Sequence, residues 1–241
     1  MKLVIDIGNT LTKIAVFEGK QMLAFGRHDS FNIQYVNQLI AEHTMPSACI
    51  ISSVSAQPYE LGDLSGRFSI LEFDYQTKLP FRNRYSTPET LGKDRLAGVA
   101  AAFELFPGRD VLVIDAGTAI TYDFITSSGE YHGGAISPGI RMRYQALHTF
   151  SGRLPLLDSE ESAPLTGDST NMSIHSGVLN GTKLEVEGVI RLYEQQYPGI
   201  QVVLTGGDHY YFDKQFKIKT FAAPNLVLDG LNLILNYNLE K

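Results

Sequence analysis

The sequence predicts an α/β protein of two similar lobes, on three observations. An apolar run ending in an acid, a glycine and a threonine occurs twice, as Leu3-Val4-Ile5-Asp6-Ile7-Gly8-Asn9-Thr10 and as Leu112-Val113-Ile114-Asp115-Ala116-Gly117-Thr118. A β-branched segment resumes after each, Thr12–Phe17 and Ile120–Ile125, so both copies read as hairpins closed by a tight turn. Helix–strand alternation then follows each hairpin, the pattern of an α/β fold. A duplication within 241 residues favours two domains, 1–108 and 109–241.

The first half continues with a third strand over Gln21–Arg27, after the turn Glu18-Gly19-Lys20. Ile33, Val36, Leu39 and Ile40 recur at helical spacing until Pro46. Ala48–Val54 reads as a buried parallel strand and Phe68–Phe73 as a further one. Residues 74–91, with Pro80 and Pro88, read as a long irregular loop. Ala-rich Leu96–Phe106 is a helix ended by Pro107-Gly108. In the second half, two strands surround the Ser127-Ser128-Gly129 turn. The glycine-rich turn Gly133–Gly139 then leads into a helix over Ile140–Phe150, and 152–168 reads as a loop. Ser169 or Thr170 can cap a long helix running towards Gln196, weakened by Gly177, Gly181 and Gly188. Gln201–Thr205 is a strand, and Leu226–Tyr237 the closing helix.

Composition narrows the function classes. A 44% hydrophobic and 19% charged chain with net charge −6 carries no basic footprint for nucleic acid or anionic membranes. Nothing at the N-terminus reads as a signal peptide, and no apolar stretch approaches bilayer length, so the expected location is cytoplasmic. Cys49 is the one cysteine and sits in an apolar run, which removes disulfide frameworks and thiolate zinc sites. The six histidines show no metal-ligand spacing.

Three segments carry chemistry. Asp6, Gly8, Asn9, Thr10 and Lys13 form a turn with exposed N–H groups, an acid and a cation, suited to phosphate and a metal. Asn and Gly are also the commonest turn residues, so the single turn leaves a plain hairpin open; the second copy at Asp115, Gly117 and Thr118 favours a nucleotide held between the halves. Tyr85 and Gly92-Lys93-Asp94-Arg95 lie where the long loop meets the Ala-rich helix. An acid beside a guanidinium can accept a hydroxyl proton and offset developing charge, although an Asp–Arg pair at a helix start also fits a surface ion pair. Gly133–Gly139 and Thr205-Gly206-Gly207-Asp208 are glycine turns that allow close approach of a ligand or simply turn the chain.

Taken in order, Asp6–Thr10, Gly92–Arg95, Asp115–Ala119, Gly133–Gly139, Gly167–Thr170, Thr205–Asp208 and Leu226–Leu231 resemble the type III pantothenate kinases over almost the whole chain. That family belongs to the acetate kinase/Hsp70/actin superfamily. The resemblance implies two ribonuclease H-like (actin-like) lobes with mixed sheets flanked by helices, and a nucleotide in the cleft between them. It implies ATP-dependent phosphorylation of pantothenate, the first step towards coenzyme A, with Mg²⁺ and a monovalent cation (K⁺ or NH₄⁺), by a homodimer. It makes Asp94 the general base. Asp6, Ile7, Gly8, Asn9, Thr10, Leu11, Thr12 and Lys13 become the first phosphate loop, with Asp6 on the Mg²⁺ side. Tyr85, Gly92, Lys93, Asp94, Arg95 and Thr170 surround pantothenate. Asp115 helps to hold the monovalent cation, Thr118 touches ATP, and the turn at Thr205–Gly207 borders the adenosine. Two alternatives stand beside this reading: a kinase of the same superfamily acting on another small hydroxylated substrate, and a catalytically silent regulatory relative.

Overall fold

The computed structural model describes the chain except residues 9, 42, 44, 55–63, 65, 213–218 and 241. Contacts divide it into two units. Unit 1 holds Met1–Leu105, Gly129–Tyr131 and Asn225–Lys241; unit 2 holds Phe106–Ser128 and His132–Pro224.

In unit 1, strand β1 (Lys2–Ile7) pairs antiparallel with β2 (Thr12–Glu18) and parallel with β4 (Ala48–Ser53). With β3 (Gln21–His28) and β5 (Ser69–Glu72) they form a mixed sheet in the order β3-β2-β1-β4-β5. Strand alternation sorts the faces. Leu3, Ile5, Ile7, Ile14, Val16, Cys49 and Ile51 pack with Val36 and Ile40 of helix α1 (Ile33–Ala41). The opposite face, which carries Val4 and Asp6, is covered by helices α2 (Lys93–Leu105) and α6 (Leu226–Leu239). Arg95 to Ala102 of α2 are all buried, because its alanines and Gly98 let neighbours approach closely. A Cβ at Gly230 of α6 would fall inside the Ala97 carbonyl, so the two helices meet nearly backbone to backbone. The closing helix therefore belongs with unit 1, which is not the grouping of the expected halves 1–108 and 109–241: the partner for its apolar face is α2, far earlier in the chain.

The stretch expected to be an irregular loop, 74–91, contains a two-residue strand β6 (Arg82–Asn83) and a single 3₁₀ turn at Pro88–Thr90. β6 pairs in parallel with Glu130 and Tyr131, and Glu130 bridges Arg82 and Arg84. Such short pairing leaves no periodic pattern to read. Helix α2 begins at Lys93, three residues before the predicted Leu96, so Asp94 lies in its first turn.

Unit 2 is built around β7 (Val111–Ala116), antiparallel to β8 (Ala119–Ile125) and parallel to β10 (Gln201–Thr205). Strand β9 (Glu130–Pro138) flanks β8, and β11 (Thr220–Ala222) lies beyond β10. Leu112, Ile114, Tyr122 and Phe124 point to a core shared with Ile140 and Tyr144 of α3 (Ile140–Phe150) and Val186 and Ile190 of α5 (Gly181–Gln196). Gly133 to Pro138, expected as a turn, is strand. The glycine there answers packing: a Cβ at Gly134 would overlap the Tyr122 carbonyl. The predicted long helix is α4 (Thr170–His175), a π-helical turn over Ser176–Asn180, and α5. Ser169 caps it, its Oγ accepting the Met172 N–H at 3.3 Å. No helix among the described residues is long and apolar enough to cross a membrane.

Candidate active site

The site in unit 1 starts from strand register. Asp6 stands opposite Lys13 on antiparallel β2 and opposite Ser52 on parallel β4. Residues paired in this way share a sheet face, so an acid, a cation and a hydroxyl meet at the end of β1. The first turn of α2 adds the charge of Asp94, which reaches the Asp6 carboxyl. Burial pushes Asp6 up to about 6; Lys13 and the Ser52 hydroxyl pull it down, and the neighbouring Asp94 charge adds to the rise. Both outer atoms of this group are constrained. Asp6 is 7% exposed, and Ser52 is fully buried, its hydroxyl close enough to favour the Asp6 carboxylate but outside hydrogen-bond geometry with any described residue.

The turn after Asp6 is tight: the Gly8 N–H donates to the Leu11 carbonyl at 3.0 Å, and a Cβ at Gly8 would lie 3.0 Å from that same oxygen. Thr10 is exposed at the turn, Leu11 is half-buried, and Asn9 lies outside the described residues. Ile7 and Thr12 pair with each other and are buried. Alternation turns their side chains to the α1 face, away from Asp6 and Lys13. Of the predicted phosphate loop, those two therefore offer backbone only.

Asp94 is half-buried, and its Oδ1 accepts the Arg95 N–H at 2.9 Å. Gly92 makes room for it, since a Cβ there would lie 2.6 Å from Asp94 Oδ1. Lys93 is half-buried as the first residue of α2. The buried Arg95 sends its guanidinium carbon to 5.8 Å from the centre of the Tyr85 ring, a cation–π contact that fixes both groups. Tyr85 is half-buried, and its N–H donates to Asn83 Oδ1 at 3.0 Å. Asp6, Lys13, Tyr85, Gly92, Asp94 and Arg95 thus all belong to one unit.

Unit 2 carries the second copy. Asp115, next to last in β7, stands between Thr121 on β8 and Thr205 on β10. The Gly117 N–H donates to the Ala119 carbonyl at 3.0 Å, leaving Thr118 exposed at the tip. Two glycine segments that were ambiguous as sequence converge here. The Gly139 N–H donates to the Thr118 carbonyl at 3.2 Å, and a Cβ at Gly139 would strike the Gly117 and Thr118 carbonyls. Gly206 has φ +91°, and a Cβ there would strike Ala116 and the Asp115 carboxylate. Asp208 donates its N–H to the Ala116 carbonyl at 2.8 Å, and burial raises its carboxyl above the usual range. Thr170, the first residue of α4, is exposed and also belongs to this unit.

Ser52 was not legible in the sequence. It sits in a strand recognised only by its apolar run, and nothing local says which residue it will face. The weak signal was the polar pair Ser52-Ser53 closing that run, as the acid closes β1.

With this geometry in place, comparison with known proteins is decisive. The family model for type III pantothenate kinase matches residues 2–192. The chain belongs to that family. It is 44% identical over 239 residues to a type III pantothenate kinase of Bacteroides fragilis, covering 99% of this chain and 98% of the relative. It is 43% identical to the corresponding protein of Phocaeicola vulgatus, covering 99% of each. Among solved structures, the activator of 2-hydroxyisocaproyl-CoA dehydratase from Clostridium difficile, with bound ADPNP, matches with TM-score 0.58 at 10% identity. The match covers 100% of this chain and 97% of that one, and shows the shared actin-like fold of mixed sheets flanked by helices. The family is one of phosphotransferases that use ATP.

Proposed function

We propose that this protein transfers the γ-phosphoryl group of ATP to the primary hydroxyl of pantothenate, giving 4'-phosphopantothenate at the entry to coenzyme A synthesis. The observation that carries the reading is the meeting of Asp6, Lys13 and Asp94 in unit 1. Phosphoryl transfer needs an oriented hydroxyl, an acceptor for its proton and compensation of phosphate charge. Asp94 serves as the general base. The acceptor oxygen forms the new P–O bond, its proton passes to the Asp94 carboxylate, and the bond from the γ-phosphorus to the bridging oxygen breaks as ADP leaves. The Arg95 N–H on Oδ1 orients that carboxylate, and the buried Arg95 guanidinium supplies a fixed positive charge beside Tyr85. Tyr85, Gly92, Lys93 and Arg95 line the acceptor.

Asp6, Gly8 to Leu11 and Lys13 take the phosphate side, with backbone contributions from Ile7 and Thr12. A buried carboxylate beside a hydroxyl with no hydrogen-bond partner among the described residues fits a hard, oxygen-seeking cation, and Mg²⁺ normally keeps water and phosphate oxygens as its other ligands. When bound, Mg²⁺ would neutralise charge on the transferring phosphate. In unit 2, Asp115 between two threonines suits a monovalent cation. The protein acts in the cytoplasm as a homodimer. A dimer would cover the apolar residues that α3 leaves exposed, Met142, Leu147 and Phe150.

ATP consumption with and without pantothenate, in potassium and then sodium buffer, tests the reading. Pantothenate-dependent turnover that requires potassium is expected. ATP use indifferent to pantothenate would point to another acceptor, and a folded protein with no turnover to a regulatory relative.

A further inference from the structure

Ser52, on β4 beside the end of β1, has no role in the reading above. It is fully buried, it faces Asp6 in register on the parallel strand β4, and its hydroxyl lacks a hydrogen-bond partner among the described residues. Its companions on β4, Ala48 to Ile51, are apolar and buried, and an alanine would fill the same place without leaving a polar atom unmet. Buried polar groups with no partner are rare, and each calls for an explanation such as a missing ion or ligand. The duplication supplies an independent observation. In unit 2, Asp115 has the buried Thr205 at the matching position on parallel β10. On the antiparallel side the copies differ, Lys13 in one and Thr121 in the other. The cation is therefore particular to one copy, whereas the hydroxyl beside the acid recurs in both.

We propose that Ser52 is a positioning residue for the metal-side carboxylate: its hydroxyl holds Asp6 in the orientation that Mg²⁺–ATP requires. This rests on the kinase reading above. With Mg²⁺ bound, the Ser52 hydroxyl would donate to the Asp6 carboxylate, as outer groups do for many ligating carboxylates.

Calorimetric titration of a non-hydrolysable ATP analogue at graded Mg²⁺, and again in chelator, tests the proposal on the full chain. Ser52→Ala is expected to bind the metal-free analogue within about twofold of wild type but to need about tenfold more Mg²⁺, the low end of losses from outer-shell changes. Its melting temperature should be no lower, since the substitution removes an unmet polar atom. Ser53→Ala, on the opposite face beside Ile7, should leave the Mg²⁺ requirement unchanged. An unchanged Mg²⁺ midpoint in Ser52→Ala overturns the proposal. So does an equal loss with and without metal, which would mark a structural role. A wild-type protein whose nucleotide affinity ignores Mg²⁺ overturns the kinase reading, and the proposal with it.

Discussion

Replacing Asp6 with asparagine should make this protein more stable while disabling it. The carboxyl is raised from 3.8 to about 6, first by burial and then by Asp94. At about 1.4 kcal/mol for each tenfold change in the proton equilibrium, ionised Asp6 costs the folded state about 3 kcal/mol. The sign follows from linkage. The folded protein holds this proton more tightly than the unfolded chain, so this contribution to stability falls as pH rises from about 4 to 6 and stays lost above 6. Asparagine removes the titration. The value near 6 already includes the attraction to Lys13, so the expected net gain at pH 8 is about 3 kcal/mol, shrinking towards zero by pH 4. For a chain of this size that is a rise in melting temperature of about 6–12 °C at pH 8. Differential scanning calorimetry of both proteins from pH 4.5 to 8 reads it, and nucleotide titration at saturating Mg²⁺ should show the loss of metal-dependent binding. A variant that melts lower at pH 8, or whose gain is the same at pH 5 and pH 8, would refute the account of Asp6 as a charge kept in a dry site at a cost in stability.

Other substitutions separate roles. Asp94→Asn should lower kcat by about 10²- to 10⁴-fold, the usual worth of a general base, with ATP affinity within about threefold by calorimetry; strong residual turnover would remove Asp94 from that role. Arg95→Lys keeps the charge but loses the planar group over Tyr85. Steady-state kinetics should show the KM for pantothenate rising about tenfold with the KM for ATP little changed; an equal rise in both would count against an acceptor-side role. Gly230→Ala forces α6 from α2 at the Ala97 carbonyl and should cost about 1–3 kcal/mol, read as a lower urea midpoint. An unchanged midpoint would mean that the helices can part freely.

Much of the fold was written locally. The hairpin of β1 and β2 and its echo in β7 and β8 follow from apolar runs broken by Gly/Thr turns, and α1 from the spacing of Ile33, Val36 and Ile40. The acids that close β1 and β7 were conspicuous for the same reason, a charge at the end of a buried strand. Elements held by few local cues escaped. β6 and β11 are two and three residues long, and the glycines of β9 read as a turn because the same residue also permits close packing against Tyr122.

What the sequence by itself determined is the inventory: two acid-ended hairpins, a helix opening on Gly92-Lys93-Asp94-Arg95, and the family to which they belong. Tertiary structure alone decided the groupings. Ser52 faces Asp6 because strand pairing joins residues distant in the chain, which no periodicity records. Thr12 turns away from Lys13 because neighbours in a strand point to opposite faces. α6 joins unit 1 because Gly230 and Ala97 are small enough to touch. The value near 6 for Asp6 belongs to that same level, since it comes from burial and from charges brought in by β2 and α2.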